Sequence, residues 1–585
     1  MNHNFLPASR REMLARGWDR PDVVLVTGDA YVDHPSFGVS LIGRWLEAHG
    51  YKVAILAQPR HQDSRDFRQF GEPRLFFGIT GGNLDSIVAN YTGSGKVRDQ
   101  DSYSPGGNPY FGRIKSRRER RRPDRAASRY GALAREAFPG VPIILGGLEA
   151  SLRRFVHYDY QQARLRASVL TDAKADLLVY GMAEQAILTI AERLADDQPL
   201  SGIPGTCERL TEKEYRQRAR SEAPLLLPSW SEIEENPAAF MAAELAIDKE
   251  ARAMSGQPLC QKQQAMHVWQ NRPAPPLETP TLDRLYNLPF QRAAHPDSGD
   301  IPAWRMVRDS VTIVRGCSGN CAFCAITRHQ GAVVTSRSLE SIIEEVREIA
   351  ETGNFRGTIS DLGGPTANLF ATSCRVEKCR KHDCFFPNLC KNLEIDEERF
   401  LALLDRCEKI AGVKHLHISS GLRMELLLKT PKLLKRLIEH HLPGAMKIAP
   451  EHTEDEVLRL MHKPGGRLLE DFLKLCRQLA GSRPLHFVPY FIASHPGCSE
   501  GDMKRLAKKV EKLGLEVRQF QDFTPTPGTI STAMYVTGLD RDGHKITVAR
   551  GTTARRKQRQ VLEDITIKAK PKSTPKKDLK KTRPA

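Results

Sequence analysis

The sequence predicts an α/β protein built of two main parts. These are a doubly wound domain over residues 1–205 and a partial (β/α)6 barrel over residues 303–545. Three observations predict it. Short apolar runs alternate with amphipathic helical stretches in both regions, the pattern of strands joined by crossover helices. Residues 206–302 break that pattern with scattered prolines and no clear strand series, and read as an irregular connector. Residues 546–585 end in a Lys/Pro-rich stretch that reads as a disordered basic tail.

In the first part the strands fall at 21–27, 52–57, 74–80, 141–145 and 175–180, with a helix at 39–49 stopped by Gly50. Several strands run into glycine turns (Gly28, Gly81-Gly82, Gly146-Gly147), the end of a parallel sheet that usually holds ligands. In the second part strands are expected at 311–315, 357–361, 414–420, 445–449, 485–492 and 516–523. Helices are expected between them at 339–351, 397–410, 431–441, 468–479 and 502–513. Functional residues of such a barrel cluster on the loops after the strands.

Hydrophobic residues make up 40% of the 585, enough for several cores. The N-terminus lacks the apolar core and cleavage site of a secretory signal, and no run of about 18 apolar residues suggests a membrane span. A soluble, cytoplasmic protein without membrane contact is the expectation. Of the net charge of +18, the residues from Arg541 onward supply +11, with 15 Lys/Arg against 4 Asp/Glu. Strong basicity therefore belongs to the tail. Seven of the twelve cysteines lie between Cys317 and Cys390, and in a cytosolic chain such clustering points to metal or redox chemistry.

Cys317, Cys321 and Cys324 form a C-x3-C-x2-C loop just after the first barrel strand. Three thiolates can ligate three irons of a [4Fe–4S] cluster and leave the fourth open. S-adenosylmethionine (SAM) can chelate that open iron, so that one electron splits it to a 5′-deoxyadenosyl radical. Gly316 and Gly319 let the backbone wrap closely. With an aromatic, Phe323, before the last cysteine, the loop resembles the radical SAM signature. The second strand ends Asp361-Leu362-Gly363-Gly364-Pro365, similar to the Gly-Gly-Glu of that superfamily with Pro365 in place of Glu. Later strands end in Ser419-Ser420-Gly421-Leu422-Arg423, Lys447-Ile448-Ala449-Pro450-Glu451-His452, Ser494-His495-Pro496-Gly497 and Phe523-Thr524-Pro525-Thr526-Pro527-Gly528-Thr529.

Together with the N-terminal segments LPASRREM and GGLEASLRRFVHYDY, the set resembles the YgiQ family of radical SAM proteins, the UPF0313 group, over nearly the full chain. The resemblance implies a [4Fe–4S] cluster on Cys317, Cys321 and Cys324. It also implies SAM contacts at Gly363, Gly364, Ser419, Arg423 and Glu451, and a flavodoxin- or ferredoxin-like electron donor. It implies no substrate and names no catalytic residue. Two rivals stay open here: an RNA-modifying, methylthiotransferase-like enzyme, and a non-enzymatic iron–sulfur carrier or regulator.

Four further cysteines, Cys374, Cys379, Cys384 and Cys390, occupy an insertion after the second strand. They suit a closed zinc site, an auxiliary iron–sulfur cluster or reduced structural thiols, and the spacing does not choose. The first domain resembles the flavodoxin-like modules that bind cobalamin in many radical SAM proteins. Asp33 and His34 are adjacent rather than in Asp-x-His-x-x-Gly, so His34 reads as a loop or substrate residue, not a cobalt ligand. Thr92–Val97 lacks the first glycine and the Ser/Thr of a phosphate loop. Residues 113–125 pack eight Lys/Arg into thirteen positions, either a solvated loop or, with the tail, a weak RNA contact.

Overall fold

A computed structural model describes residues 5–252, 256–376, 379 and 383–568. Val23–Thr27 is buried along its whole length because both faces of its sheet are covered. Its side chains alternate accordingly. Val24 and Val26 enter one core with Phe77 and Leu145, while Val23 and Leu25 enter another with Phe76 and Ile144.

Five strands pair in parallel in the order Val53–Ala57, Val23–Thr27, Phe76–Thr80, Ile143–Gly146 and Leu177–Val179. In chain order this is 2-1-3-4-5, the flavodoxin-like arrangement.

The expected connector needs correction. Thr206–Leu210, Met266–Gln270, Leu259–Gln263 and Leu225–Leu227 extend the same sheet to nine strands, with Thr206–Leu210 antiparallel to Leu177–Val179. Their inward positions include Gln261 and Gln263, 0% and 2% exposed, so the apolar alternation that marks a strand is missing.

In the second part Ser310–Thr312 pairs in parallel with Asp361–Gly363, and Thr358–Ile359 with His415–Leu416. Leu422 bridges to Ile448 in the same sense. Met446–Glu451 then pairs with Phe487–Ala493, and that strand with Gln519–Asp522. The intervening helices Leu339–Glu351, Glu397–Glu408, Arg467–Ala480 and Glu500–Lys512 bury their apolar stripes in one core with these strands.

The tail also needs correction. Thr552–Lys568 is a helix, with Leu562 fully buried in that core. The last expected disordered residues, 569–585, lie outside the described residues.

Two of the glycine turns at the end of the first sheet, at Gly28 and Gly81-Gly82, are filled by the chain itself. A Cβ on Gly28 would meet Arg122 at 2.9 Å, and one on Gly82 would meet Asp29 at 2.2 Å. Arg122, buried, donates to Asp29 at 2.5 Å and reaches Asp101 at 3.2 Å. These glycines therefore serve packing, where the sequence suggested ligand contact. The basic run is likewise partly internal. Arg120 and Arg122 are buried and Arg125 pairs with Asp159 at 2.8 Å, leaving Arg113, Lys115, Arg117 and Arg118 exposed. No described helix is long and apolar enough to cross a membrane.

Candidate active site at the Cys317–Cys324 loop

The loop follows Val314–Arg315 and is pinned from several sides. Cys317 N–H donates to the Gly331 carbonyl at 3.2 Å, and Ala322 N–H to that of Met461 at 2.9 Å. Ser531 N–H donates to the Ala322 carbonyl at 2.9 Å, and His462 Nδ1 lies 2.9 Å from that of Asn320. Gly316 has φ +79°, and a Cβ there would sit 1.9 Å from the Val333 carbonyl oxygen. Only glycine fits.

Cys317, Cys321 and Cys324 come together. Burial, aided by Cys321 and Cys317, pushes the Cys324 thiol up to about 12. Arg423 enters this group through the notch left by Gly319, donating to Cys321 Sγ at 3.5 Å and to Glu425 at 3.1 Å. Its guanidinium also lies 4.1 Å over the Phe385 ring. Glu425 and the thiols hold the Arg423 cation above its ordinary range despite burial.

Glu451 is buried with φ +67°, a left-handed backbone uncommon outside glycine and typical of functional sites. Burial raises its carboxyl above the usual range, opposed by Lys463, 3.9 Å away, and by Arg423.

The remaining SAM candidates sit on one neighbouring edge. The Asp361 carboxylate accepts from Ser419 N–H at 2.7 Å and Ser420 N–H at 3.1 Å, while Ser419 Oγ donates to the Ser360 carbonyl. A Cβ on Gly363 would strike Asp361 and Ser420, and one on Gly364 the Val314 carbonyl at 2.6 Å. Gly364 thus lets the second strand approach the cysteine loop's own strand, while Gly363 makes room for Asp361 and Ser420.

His34, by contrast, is buried away from this group, accepting from Ser36 N–H at 3.0 Å. The residues assigned to SAM from the sequence omit Lys463, His462, Asn320 and Asp361, although Asp361 and His462-Lys463 stand in the motif segments after the second and fourth strands. The His462-Lys463 pair after a barrel helix was the readable signal.

The residues present fit a bound cofactor. Asn320 Oδ1, Arg423 Nε and Glu451 Oε2 are buried polar atoms without a hydrogen-bond partner, Asn320 in the loop, Arg423 on Cys321 and Glu451 near Arg423. Each such orphan costs about 1–3 kcal/mol unless something fills the site.

A family model described as Radical SAM N-terminal matches residues 5–310, and one described as Radical SAM superfamily matches residues 311–510. Fold, cysteine loop and these matches define a radical SAM enzyme, a class that uses a [4Fe–4S] cluster and SAM. A UPF0313 protein of Geobacter sulfurreducens is 43% identical over 570 residues, covering 96% of this chain and 92% of that protein. A UPF0313 protein of Thermotoga maritima is 44% identical, covering 95% and 98%. The chain belongs to the UPF0313 family. A solved structure of the radical SAM methyltransferase TsrM from Kitasatospora setae, with tryptophan substrate and a SAM analogue, shares the fold at TM-score 0.50 and 13% identity, covering 94% of this chain and 89% of that one. The RNA-modifying and electron-carrier rivals are not favoured by these likenesses.

Proposed function

We propose that Cys317, Cys321 and Cys324 hold the [4Fe–4S] cluster of a partial (β/α)6 radical SAM core. Gly363, Gly364, Ser419, Arg423 and Glu451 would then bind SAM. When bound, the cluster supplies one electron that cleaves SAM to a 5′-deoxyadenosyl radical, which abstracts hydrogen from an unidentified substrate.

The chain's own residues bind and orient SAM. Arg423 offers a planar cation beside Cys321 that matches a carboxylate, while the Ser420 hydroxyl is held by Asp361 and that of Ser419 by the Ser360 carbonyl. Glu451, set against Lys463, adds an acceptor with one oxygen free. The N-terminal domain packs against the segments that flank the loop, where Ser151 Oγ meets His329 Nδ1 at 3.0 Å and Glu184 accepts from Arg315 at 2.6 Å. A flavodoxin- or ferredoxin-like protein would supply the electron.

The observation that carries this reading is that three neighbouring thiols share their surroundings with buried polar atoms that lack hydrogen-bond partners, in the loop and at Arg423. The test is anaerobic reconstitution of wild type and a Cys317/Cys321/Cys324→Ala variant, with 5′-deoxyadenosine assayed after adding dithionite and SAM. Wild type should form it and the variant should not. A fully loaded wild type that neither cleaves SAM nor changes its cluster spectrum with SAM would sink the assignment.

A further inference from the structure

We propose that Cys374, Cys379, Cys384 and Cys390 hold a second iron–sulfur cluster, ligated wholly by protein and seated against the radical centre. The inference rests on the triplet reading above for its comparison.

The fold draws these cysteines, spread over residues 374–390, toward one end of a hairpin. Thr372–Cys374 and Leu393–Ile395 form an antiparallel hairpin in which Cys374 faces Leu393. Leu393 N–H donates to the Cys390 carbonyl at 3.2 Å, and Cys390 N–H to that of Cys384 at 2.8 Å. Three cysteines therefore meet at the open end of one hairpin. All twelve cysteines of the chain are free of disulfides, so no covalent link accounts for the convergence.

The electrostatics agree with this geometry. Cys390, Cys374 and Cys379 all lie near enough to the Cys384 thiol to act on it as neighbouring groups.

The insertion does not hang free of the site. Asn320, between the first two cysteines of the radical loop, donates to Asp383 at 2.7 Å. Phe385 is 3% exposed and lies under the Arg423 guanidinium that bonds Cys321. Phe386 packs 4.1 Å from His462, whose Nδ1 meets the Asn320 carbonyl. Ser318 of the radical loop lies beside Cys384, within hydrogen-bonding reach of its thiol. The two cysteine sets are thus separated by a single layer of side chains.

A cluster suits these thiols better than one ion. A tetrahedral zinc with sulfurs at about 2.3 Å draws them to within roughly 3.8 Å of one another. Among the described residues, three-ligand groups within 4.8 Å are Glu12–His295–Asp297 and Asp540–Asp542–His544, and neither cysteine set is one of them. In this respect the four cysteines match the triplet, whose irons each take a separate thiolate. With four protein ligands the second cluster has no open iron for SAM, which fits it for passing electrons to the first.

The full-length protein would be purified and reconstituted anaerobically with iron and sulfide. Iron, sulfide and zinc would be counted, and dithionite-reduced samples compared by EPR with and without SAM. The Cys317/Cys321/Cys324→Ala variant should keep about half of the wild-type iron, with an EPR signal that SAM does not alter. The Cys384/Cys390→Ala variant should lose that half and keep a SAM-sensitive signal. Iron absent from the triplet variant would overturn the proposal, as would zinc bound in its place. If the triplet variant instead kept all the iron, the triplet reading would fail and this one would stand. Should the Cys384/Cys390 variant misfold, sulfide counting in wild type decides: two clusters per chain support the proposal, and one overturns it.

Discussion

Gly319 and Arg423 occupy one notch, and the chemistry of the cysteine loop depends on both. A methyl group at residue 319 would lie 1.8 Å from Arg423 Nη2, so Gly319→Ala should expel the guanidinium from Cys321. A charge-assisted hydrogen bond contributes about 1.5–3 kcal/mol, so formation of 5′-deoxyadenosine should fall at least ~tenfold while folding is retained. Gly316→Ala should behave differently. Its obstacle is the Val333 carbonyl at 1.9 Å together with a φ of +79°, and backbone cannot swing aside as a side chain can. Iron content and melting temperature should both drop in that variant, and thermal melts beside iron counts separate the two cases. Arg423→Lys should resemble Gly319→Ala, since an ammonium keeps the charge but not the planar stack on Phe385.

Among elements, the helix Thr552–Lys568 corrects the sequence reading most. Its Lys and Arg residues hid a narrow apolar stripe in which Leu562 is fully buried and Val561 and Ile565 pack at the edge of the same core. Gln558 donates to the Cys498 carbonyl at 2.8 Å and accepts from Ser494 N–H at 2.9 Å, bracing the loop after Phe487–Ala493. Leu562→Ala should cost about 2–5 kcal/mol, read from denaturant unfolding. A negligible change would mean that the helix does not pack there. The strands between 206 and 270 escaped notice for a related reason. Gln261 accepts from Val156 N–H at 3.0 Å, and Gln263 from Ser168 N–H at 2.9 Å. Buried glutamines that satisfy backbone groups elsewhere in the chain carry no periodic apolar signature.

For the molecule as a whole, the seam between the two parts runs directly behind the cysteine loop. Arg315, one residue before Gly316, is buried on Glu184 at 2.6 Å and donates to Tyr286 Oη at 3.0 Å. Arg328 reaches Glu244 at 3.6 Å and Asp248 at 3.4 Å. Glu184→Ala leaves Arg315 buried without its partner and should cost about 3–5 kcal/mol, with cluster loading lowered because the loop's first residue is loosened. Acid should act on the same seam. Burial lowers His329 from 6.5 to about 4, so the folded chain holds it neutral while the unfolded chain protonates it. The unfolded state then binds more protons between about pH 6.5 and 4, and stability falls as pH falls through that window. His329→Gln should flatten that slope in urea titrations run at successive pH values. An unchanged slope would assign the acid sensitivity to other groups, such as His452, also lowered to about 4 by burial.

Local chemistry was legible in the residues alone. The C-x3-C-x2-C loop, the glycines around it and the five apolar strands 23–27, 53–57, 76–80, 143–146 and 177–179 follow from spacing and periodicity, which depend on neighbours in the chain. Tertiary structure decided what those rules do not reach. Arg122 and Asp29 fill two glycine turns of the first sheet, the insertion with the later cysteines packs against the first cysteine loop, and a basic helix joins the core of the second part. Each of these joins residues far apart in sequence, through buried polar or charged groups whose partners only the folded chain supplies.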